Sequence, residues 1–360
     1  MDDFSLNKFS EWLFSPFLSY SEHPMIFTEY PFWIFFLFVL IGYGIIHSKM
    51  RLRSIFLFLA SLFFYFKTSG FFFSILLFST IADFYIGKAI YSSKKELNAK
   101  IVEFANYLMP ISYSSVNEEH LHIRDEVGVF DVSHMGEIEI SGSNSLNFIQ
   151  KICSNDISKI KVGKAQYNCL TNESGGIIDD LIVYRLEEKK YLLVVNASNI
   201  SKDWNWIIKQ NSEFNCSIVN ISDEMSLLAV QGPKAEELCQ KFTNEDLALI
   251  SNYSFIVSSF AGFENIIISK TGYTGSGGYE LYIPNHSTGF VWDALFSQKE
   301  FNLKPIGLAA RDTLRIEMGY CLYGNDINED ITTEEANLRW ITKIETNFIG
   351  SQIINEQIQN

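Results

Sequence analysis

The segment Ile177–Tyr184 reads IIDDLIVY, an apolar strand pattern that holds two adjacent carboxylates. Strand-like patterns also occur on either side of it, in Gly136–Ser141 (GEIEIS) and Tyr191–Asn196 (YLLVVN). Amphipathic helix patterns occur in Asn144–Ile152 and Lys234–Lys241. Because such strands and helices are interspersed without a regular alternating unit, we predict an α+β fold with mainly antiparallel sheets.

The paired carboxylates, Asp179 and Asp180, are consecutive residues of a strand pattern. Consecutive side chains of a strand face opposite sides, so one carboxylate can point into a site while the other points away. Taken alone, the pair is better explained by carboxylates at a surface turn. The strand pattern therefore indicates a candidate site but does not assign its chemistry.

A glycine-rich stretch, Lys270–Ile283, reads KTGYTGSGGYELYI. It could be mistaken for a phosphate-binding loop, but no helix pattern follows it, and the chain has no Walker loop or GxGxxG. The residues after the glycines have a strand pattern. We therefore predict a turn or a substrate loop here.

Composition divides the chain near residue 95. The first 95 residues hold 19 of the 31 Phe and have a net charge of +2, whereas the remainder carries −16. An acidic body argues against a nucleic-acid partner, which needs clustered Lys and Arg. The five cysteines form no CxxC or Cys/His cluster, so neither a zinc site nor a redox pair is predicted.

Three apolar runs dominate the first part of the chain: Pro31–Ile46, Ser54–Phe66 and Phe71–Tyr91. A membrane helix needs about 20 mostly apolar residues, so we predict about three transmembrane helices within residues 1–93. A soluble helix bundle is the alternative. A signal peptide fits poorly, because the apolar residues begin late and form more than one run.

Basic residues predict the orientation of these helices. Lys49, Arg51 and Arg53 follow the first run, and Lys88 and Lys94 accompany the end of the third. The positive-inside rule places both groups in the cytoplasm. The expectation is a membrane-anchored protein that contacts lipid, with its catalytic domain in the cytoplasm. Without a genuine hydrophobic segment, the expectation is a cytoplasmic protein.

The later residues carry longer motifs. These include YNCLTNESGGIIDDLIVYRL (Tyr167–Leu186), KTGYTGSGGYEL (Lys270–Leu281) and GLAARDTLRIEMGYCLYGNDI (Gly307–Ile327). In sequence and order they resemble the T-protein, or aminomethyltransferase, family of the glycine cleavage system, and the resemblance covers residues 99–350. Residues 25–93 resemble the N-terminal fragment of membrane-bound O-acyltransferases, without the downstream part that holds that family's catalytic His. The predicted organisation is a hydrophobic segment (1–93), a polar linker (94–98) and a folate-binding domain (99–360).

The T-protein resemblance implies an activity. The family moves an aminomethyl carbon from the lipoyl arm of the carrier H-protein to tetrahydrofolate, releasing ammonia and forming 5,10-methylenetetrahydrofolate. It implies lipoylated H-protein and tetrahydrofolate as partners, and no metal. The family continues into a C-terminal barrel domain after the region that matches Trp340–Gly350, and the resemblance implies that this domain is absent. A folate-binding module without turnover, or an inactive chimeric product, is the alternative.

The resemblance also implies the site residues. Asp180, in GGIIDDLIVY, matches the catalytic aspartate that orients tetrahydrofolate and assists nucleophilic attack. Glu280 matches the glutamate that pairs with the pterin ring, and Arg311 matches a ligand-binding arginine; structural ion pairs are the alternative for both. His134 shapes the pocket wall without a chemical role. The implied cofactor-binding positions are Tyr167, Tyr184, Asn196, Glu280, Arg311, Tyr273, Tyr253 and Met135.

Overall fold

The computed structural model describes residues 30–46, 50–69 and 99–359. The chain divides into two compact units, Met1–Ser93 and Lys94–Asn360. In the first unit the described elements are helix α1 (Tyr30–Ile46) and helix α2 (Met50–Ser69). Aromatic side chains join the two helices, with the ring centroids of Phe35 and Phe63 5.5 Å apart.

The prediction of about three transmembrane helices is wrong for these described helices. Over the described ranges, the structure contains no helix that is long and apolar enough to cross a membrane. Helix α1 has only 17 residues, and the 20 residues of α2 include Arg51, Arg53 and Lys67. The predicted membrane anchor, and the localisation built on it, are corrected with it. The third apolar run, Phe71–Tyr91, lies outside the described residues.

The second unit combines strands and helices in the predicted α+β manner. Its strands are β1 (Lys100–Phe104), β2 (Tyr107–Ser112), β3 (Val127–Asp131), β4 (Gly136–Ser141), β5 (Lys164–Thr171), β6 (Ile177–Glu187), β7 (Lys190–Val195), β8 (Ser217–Asn220), β9 (Met225–Gln231), β10 (Phe255–Phe260), β11 (Phe263–Ser269), β12 (Gly278–Pro284) and β13 (Leu303–Pro305). Its helices are α3 (Val116–Asp125), α4 (Ser145–Ile152), α5 (Ile200–Gln210), α6 (Ala235–Gln240), α7 (Asn285–Ser297), α8 (Leu308–Glu317) and α9 (Ser351–Gln359).

Two sheets form the centre of this unit. One has the strand order β5-β6-β7-β4-β8 and is antiparallel throughout. The other has the order β10-β11-β12-β9-β3-β13 and is antiparallel except for the β3–β13 pair. Strands β1 and β2 form a separate hairpin. The predicted strands and helices are therefore found, and the glycine-rich stretch leads into strand β12 as expected.

Three of the four buried apolar clusters in the described residues pack against the faces of these sheets. One lies where the sheets face each other and includes Tyr184, Leu227 and Tyr282. Another packs α4 and α5 against the outer face of the β5–β8 sheet. The third packs α6 and α7 against the outer face of the other sheet. Each sheet is thus buried on both faces, and the inner faces provide the walls of a site.

Side chains alternate between the two faces of β6, and this alternation determines which of them point toward the site. Leu181 and Val183 belong to the cluster on the helix side, whereas Ile182 and Tyr184 belong to the cluster between the sheets. Because strand side chains alternate, Asp180 falls on the inner face. Asp179 falls on the helix side, where it is fully buried.

Candidate active site

A cavity of about 1210 Å³ opens between the two sheets of the second unit. Strand residues such as Ile182 and Leu227 line its floor. Helix α8 and residues 318–323 and 336–340 close one side. This volume is above the roughly 300–1,000 Å³ of common ligand pockets, so the cavity is large enough for a cofactor-sized molecule.

Eight of the nine site residues predicted from the sequence line this cavity. They come from strands of both sheets, from α8 and from connecting segments, so the fold brings together residues far apart in the chain. These eight are Met135, Tyr167, Asp180, Asn196, Tyr253, Tyr273, Glu280 and Arg311. The ninth, Tyr184, is fully buried beneath the cavity wall.

Asp180 is held by two donors. The Tyr167 hydroxyl donates to its Oδ2 at 2.9 Å, and the Asn196 side-chain amide donates to its Oδ1 at 2.9 Å. Burial, followed by the charge of Asp179, raises the pKa of Asp180 to about 7, against the opposite effect of these two hydrogen bonds. A carboxyl group of this pKa exchanges a proton readily at neutral pH.

The neighbouring Asp179 anchors the same amide from the other side of the strand. Its Oδ1 accepts from Nδ2 of Asn196 at 2.9 Å and from Nδ2 of Asn199 at 2.6 Å, and its Oδ2 accepts from the Asn196 backbone N–H at 2.9 Å. The Asn196 amide therefore bridges the two carboxylates. This arrangement fixes the orientation of the group that holds Asp180.

A third carboxyl group, Asp203, lies in the first turn of α5 and is fully buried. Sequence reasoning did not single it out. The signal that could have revealed it is helical spacing, because Asn199, Asp203 and Ile207 are four residues apart and share the buried face. Burial, followed by the charge of Asp179, raises the pKa of Asp203 to about 11.

Glu280 forms a second polar centre on β12. It is buried, and its Oε2 accepts from the Thr271 hydroxyl at 2.5 Å. The Thr271 hydroxyl also contacts the hydroxyls of Ser269 and Tyr184, at 2.9 and 3.1 Å. Tyr184 therefore supports Glu280 through Thr271 from below the cavity rather than lining the wall.

Arg311 projects from α8 next to these groups. Its guanidinium lies over the Tyr273 ring, 4.7 Å from the ring centre. Burial lowers the pKa of Arg311, and the carboxylate of Glu280 acts in the opposite direction. Its Nη1 is buried and has no acceptor among the residues that the structure describes. A buried guanidinium N–H of this kind is ready to bind an oxygen atom of a ligand.

Flat aromatic pairs border the cavity. The rings of Tyr167 and Trp340 stack with centroids 5.9 Å apart, and those of Tyr273 and Tyr320 stack at 5.8 Å. Trp340 and Tyr320 were not predicted as site residues. They lie in segments that have no strand or helix pattern and that reach the cavity only through the tertiary fold. These surfaces suit a flat heterocyclic ligand.

The remaining predicted positions also lie on the cavity wall. Met135 and His134 follow strand β3, and the His134 ring packs edge-on against Phe104 at 5.5 Å. Tyr253 lines the wall with a backbone φ of 55°. In the described part of the chain, no group of acidic, His or Cys side chains is arranged to hold a metal ion. The expectation that none is needed stays a prediction.

Known proteins have sequences similar to this chain. The family profile described as the GCVT N-terminal domain matches residues 90–346. An aminomethyltransferase of Flavobacterium psychrophilum is 53% identical over 270 residues, covering 75% of each chain. One of Bacteroides fragilis is 54% identical over 264 residues, 72% of this chain and 73% of that one.

The fold is also similar to a solved structure. The crystal structure of glycine cleavage system aminomethyltransferase T from Bartonella henselae matches with a TM-score of 0.69 and 32% identity, over 75% of this chain and 74% of that one. The family profile begins at residue 90, so the O-acyltransferase resemblance of residues 25–93 stays a prediction. From its motifs, its fold and these matches, the chain belongs to the GCVT aminomethyltransferase family.

Proposed function

We propose that this chain is a tetrahydrofolate-dependent aminomethyltransferase of the glycine cleavage system. The observation that carries the proposal is Asp180, which lines a large cavity and accepts hydrogen bonds from Tyr167 and Asn196, and whose pKa burial raises to about 7. The donor is the lipoyl arm of an H-protein, and the acceptor is tetrahydrofolate. We assign the chemistry to residues 99–360, after a hydrophobic segment (1–93) and a linker (94–98).

The reaction requires proton transfers that such a carboxyl group can assist. The two acceptor nitrogens of tetrahydrofolate each lose a proton as they bond to the transferred carbon. One of these protons ends on the lipoyl sulfur, and the other ends on the departing ammonia. A side chain that is half ionised near neutral pH can take a proton and return it within the same cycle. We assign this orienting and proton-handling role to Asp180.

The surrounding residues provide recognition. The carboxylate of Glu280, fixed by Thr271, suits the flat amino-oxo edge of a pterin, which offers two N–H donors. The unpaired Nη1 of Arg311 suits an oxygen atom of the ligand. The rings of Tyr167 and Tyr273 provide flat surfaces. These assignments are supported by the geometry of the cavity and by the order of the family motifs.

The direct test is a transfer assay with the full-length protein, H-protein that carries the aminomethyl group, and tetrahydrofolate. Ammonia and methylenetetrahydrofolate should form in equal amounts. Replacing Asp180 by Asn keeps the shape but removes the titratable group, so kcat should fall by roughly 10²- to 10⁴-fold. Asp293→Asn, a carboxylate on helix α7 outside the cavity, is the matched control and should keep full activity.

Two outcomes would count against the proposal. If tetrahydrofolate binds but no ammonia is released, the chain is a folate-binding module without turnover. If Asp180→Asn retains full activity, the proton-handling role of Asp180 is excluded.

A further inference from the structure

Asp203 is a buried carboxyl group behind the candidate site. It lies on the face of α5 that packs against the β5–β8 sheet, and its side chain is fully buried. Neither of its carboxyl oxygens receives a hydrogen bond from any donor in the described residues. A buried polar group without a partner is costly to maintain, so its presence calls for a physical explanation.

Among the charged groups, Asp179 has the largest effect on Asp203: its charge, and a hydrogen bond between the two side chains, both raise the pKa of Asp203. Asp179 in turn accepts from the backbone and side chain of Asn196 and from the side chain of Asn199. The Asn196 amide donates to Asp180 as well. Any rotation of Asp179 would therefore move the amide that positions Asp180.

The protonation state of Asp203 follows from the groups that face it. The start of α5 and the ammonium of Lys202 favour an ionised carboxylate. The Lys202 ammonium, however, is held by the Glu329 carboxylate at 3.1 Å and by the Tyr323 hydroxyl at 2.6 Å. Burial and the carboxylates of Asp179 and Asp180 oppose ionisation.

Because no donor reaches the Asp203 carboxyl oxygens in the described residues, the neutral form of Asp203 is favoured over the ionised form. An ionised Asp203 would be a buried charge without a hydrogen bond and next to like charges, which is the most costly arrangement for a carboxylate. A neutral Asp203 has a hydroxyl that can donate to Asp179 and leaves no charge unpaired. The neutral acid therefore explains both the burial and the missing donors.

We propose that Asp203 is a positioning residue: its neutral carboxyl group donates a hydrogen bond to Asp179 and so fixes the Asn196 amide that orients Asp180. The proposal deepens the function assigned above and rests on it for its kinetic consequences. Asp203 does not line the cavity, so it can act on the reaction only through other residues.

The kinetic test compares two substitutions in the full-length protein. Asp203→Asn keeps a neutral donor of the same shape, so kcat should stay within about threefold of wild type and the acidic limb of the pH–rate profile should not move. Asp203→Leu removes the donor, so kcat should fall by roughly 10- to 100-fold while the protein still melts cooperatively. Loss of activity in Asp203→Asn equal to that in Asp203→Leu would overturn the proposal. So would a downward shift of the acidic limb in Asp203→Asn, since it would show that a charge had been removed.

A second test does not depend on transfer activity. Infrared spectra of the full-length protein at pH 7 should show the carbonyl stretch of protonated carboxylic acids, and Asp203→Asn should remove one component. Glu137→Gln is the matched control, because Glu137 is also buried with a raised pKa and should account for a different component. If Glu137→Gln alters the spectrum and Asp203→Asn does not, Asp203 is ionised and the proposal fails. If the protein lacks transfer activity but this component is lost, the proposed function fails while the hydrogen bond stands.

Discussion

At the scale of single residues, the site depends on how Asp180 is held. The Tyr167 hydroxyl donates to it, and burial raises the pKa of Tyr167, so this hydroxyl stays protonated throughout the working pH range. A donor stabilises the ionised carboxylate and lowers its pKa against the effect of burial. The pKa of Asp180, about 7, is therefore a balance that single hydrogen bonds can shift.

Tyr167→Phe tests this balance. Without the donor, the pKa of Asp180 should rise, and the acidic limb of the pH–rate profile should move upward by about 0.5 to 1 unit. Activity should then be reduced several-fold at pH 7 and recover at higher pH, because the ionised form is restored there. The measurement is kcat across pH 5.5–9.

Tyr279→Phe is the matched control for that experiment. The Tyr279 hydroxyl lies within hydrogen-bond distance of two acceptors, Glu236 and the backbone oxygen of Leu247, away from the cavity. This variant should lose some stability but keep the midpoint of the wild-type profile. An unchanged midpoint in Tyr167→Phe would show that the hydroxyl does not tune Asp180.

At the scale of elements, strand β6 carries Asp180, the proposed catalytic carboxylate, and two glycines directly precede the strand. Gly175 has a φ of +85°, and a Cβ at Gly176 would overlap the backbone oxygen of Glu329. The Ile177 N–H donates to the oxygens of Asn328 and Ile331, at 3.1 and 2.9 Å. Gly175 and Gly176 therefore allow the loop that contains Asn328, Glu329 and Ile331 to pack directly against the start of β6.

Gly176→Ala should disturb this contact. The added methyl group forces the loop or the strand to shift, so the free energy of unfolding should fall by about 1–3 kcal/mol, and kcat should fall as well. Gly289→Ala is the control, since Gly289 lies in helix α7 with open space around it. That change should stabilise the protein by up to about 1 kcal/mol. Equal urea midpoints for the two variants would contradict the packing argument.

Features of the site that depend on neighbouring residues could be predicted from the sequence, whereas contacts between residues far apart in the chain could not. The alternation of β6 separates Asp179 from Asp180, and that follows from the strand period alone. The resemblance located the residues that reach the cavity. The support of Glu280 by Tyr184 and of Asp179 by Asn199 depends on contacts between distant elements. The spacing of Asn199, Asp203 and Ile207 indicates which face of α5 is buried, but no sequence pattern indicates which residues of another element that face contacts.

The prediction of transmembrane helices is wrong for α1 and α2 for a different reason. It rests on the length of apolar runs in the sequence. In the structure α1 ends after 17 residues, and α2 includes charged residues near both of its ends. Composition predicts burial, but the length of an uninterrupted apolar helix is decided by where the helix begins and ends.

At the scale of the whole molecule, stability depends on pH through buried acids. Glu137 on β4 is buried, neither of its carboxyl oxygens has a partner among the described residues, and burial raises its pKa to about 9. The folded state then holds a proton that the unfolded chain releases above its ordinary pKa of about 4.5. The stability that this group provides is present below pH 4.5 and is lost as the pH rises toward 9.

Glu137→Gln removes this dependence, because an amide does not titrate. Relative to wild type, the free energy of unfolding of the variant should increase with pH by up to about 1.4 kcal/mol per unit. Between pH 5.5 and 7.5 the gain should approach about 2.7 kcal/mol, measured by urea unfolding. The contribution of Asp203 is common to both proteins and cancels in the difference. Parallel stability curves would show that Glu137 is ionised in the folded protein.

The Asn196 amide has two hydrogens but three oxygens within reach: the Oδ1 atoms of Asp179 and Asp180 and the backbone oxygen of Asp180. One acceptor is therefore always in surplus. When a ligand draws the Asp180 carboxylate toward itself, the amide can transfer its hydrogen bond to another oxygen, and no buried donor loses its partner. Binding and release at Asp180 then proceed with little penalty in the protein interior, so the surplus acceptor favours rapid exchange of substrate and product.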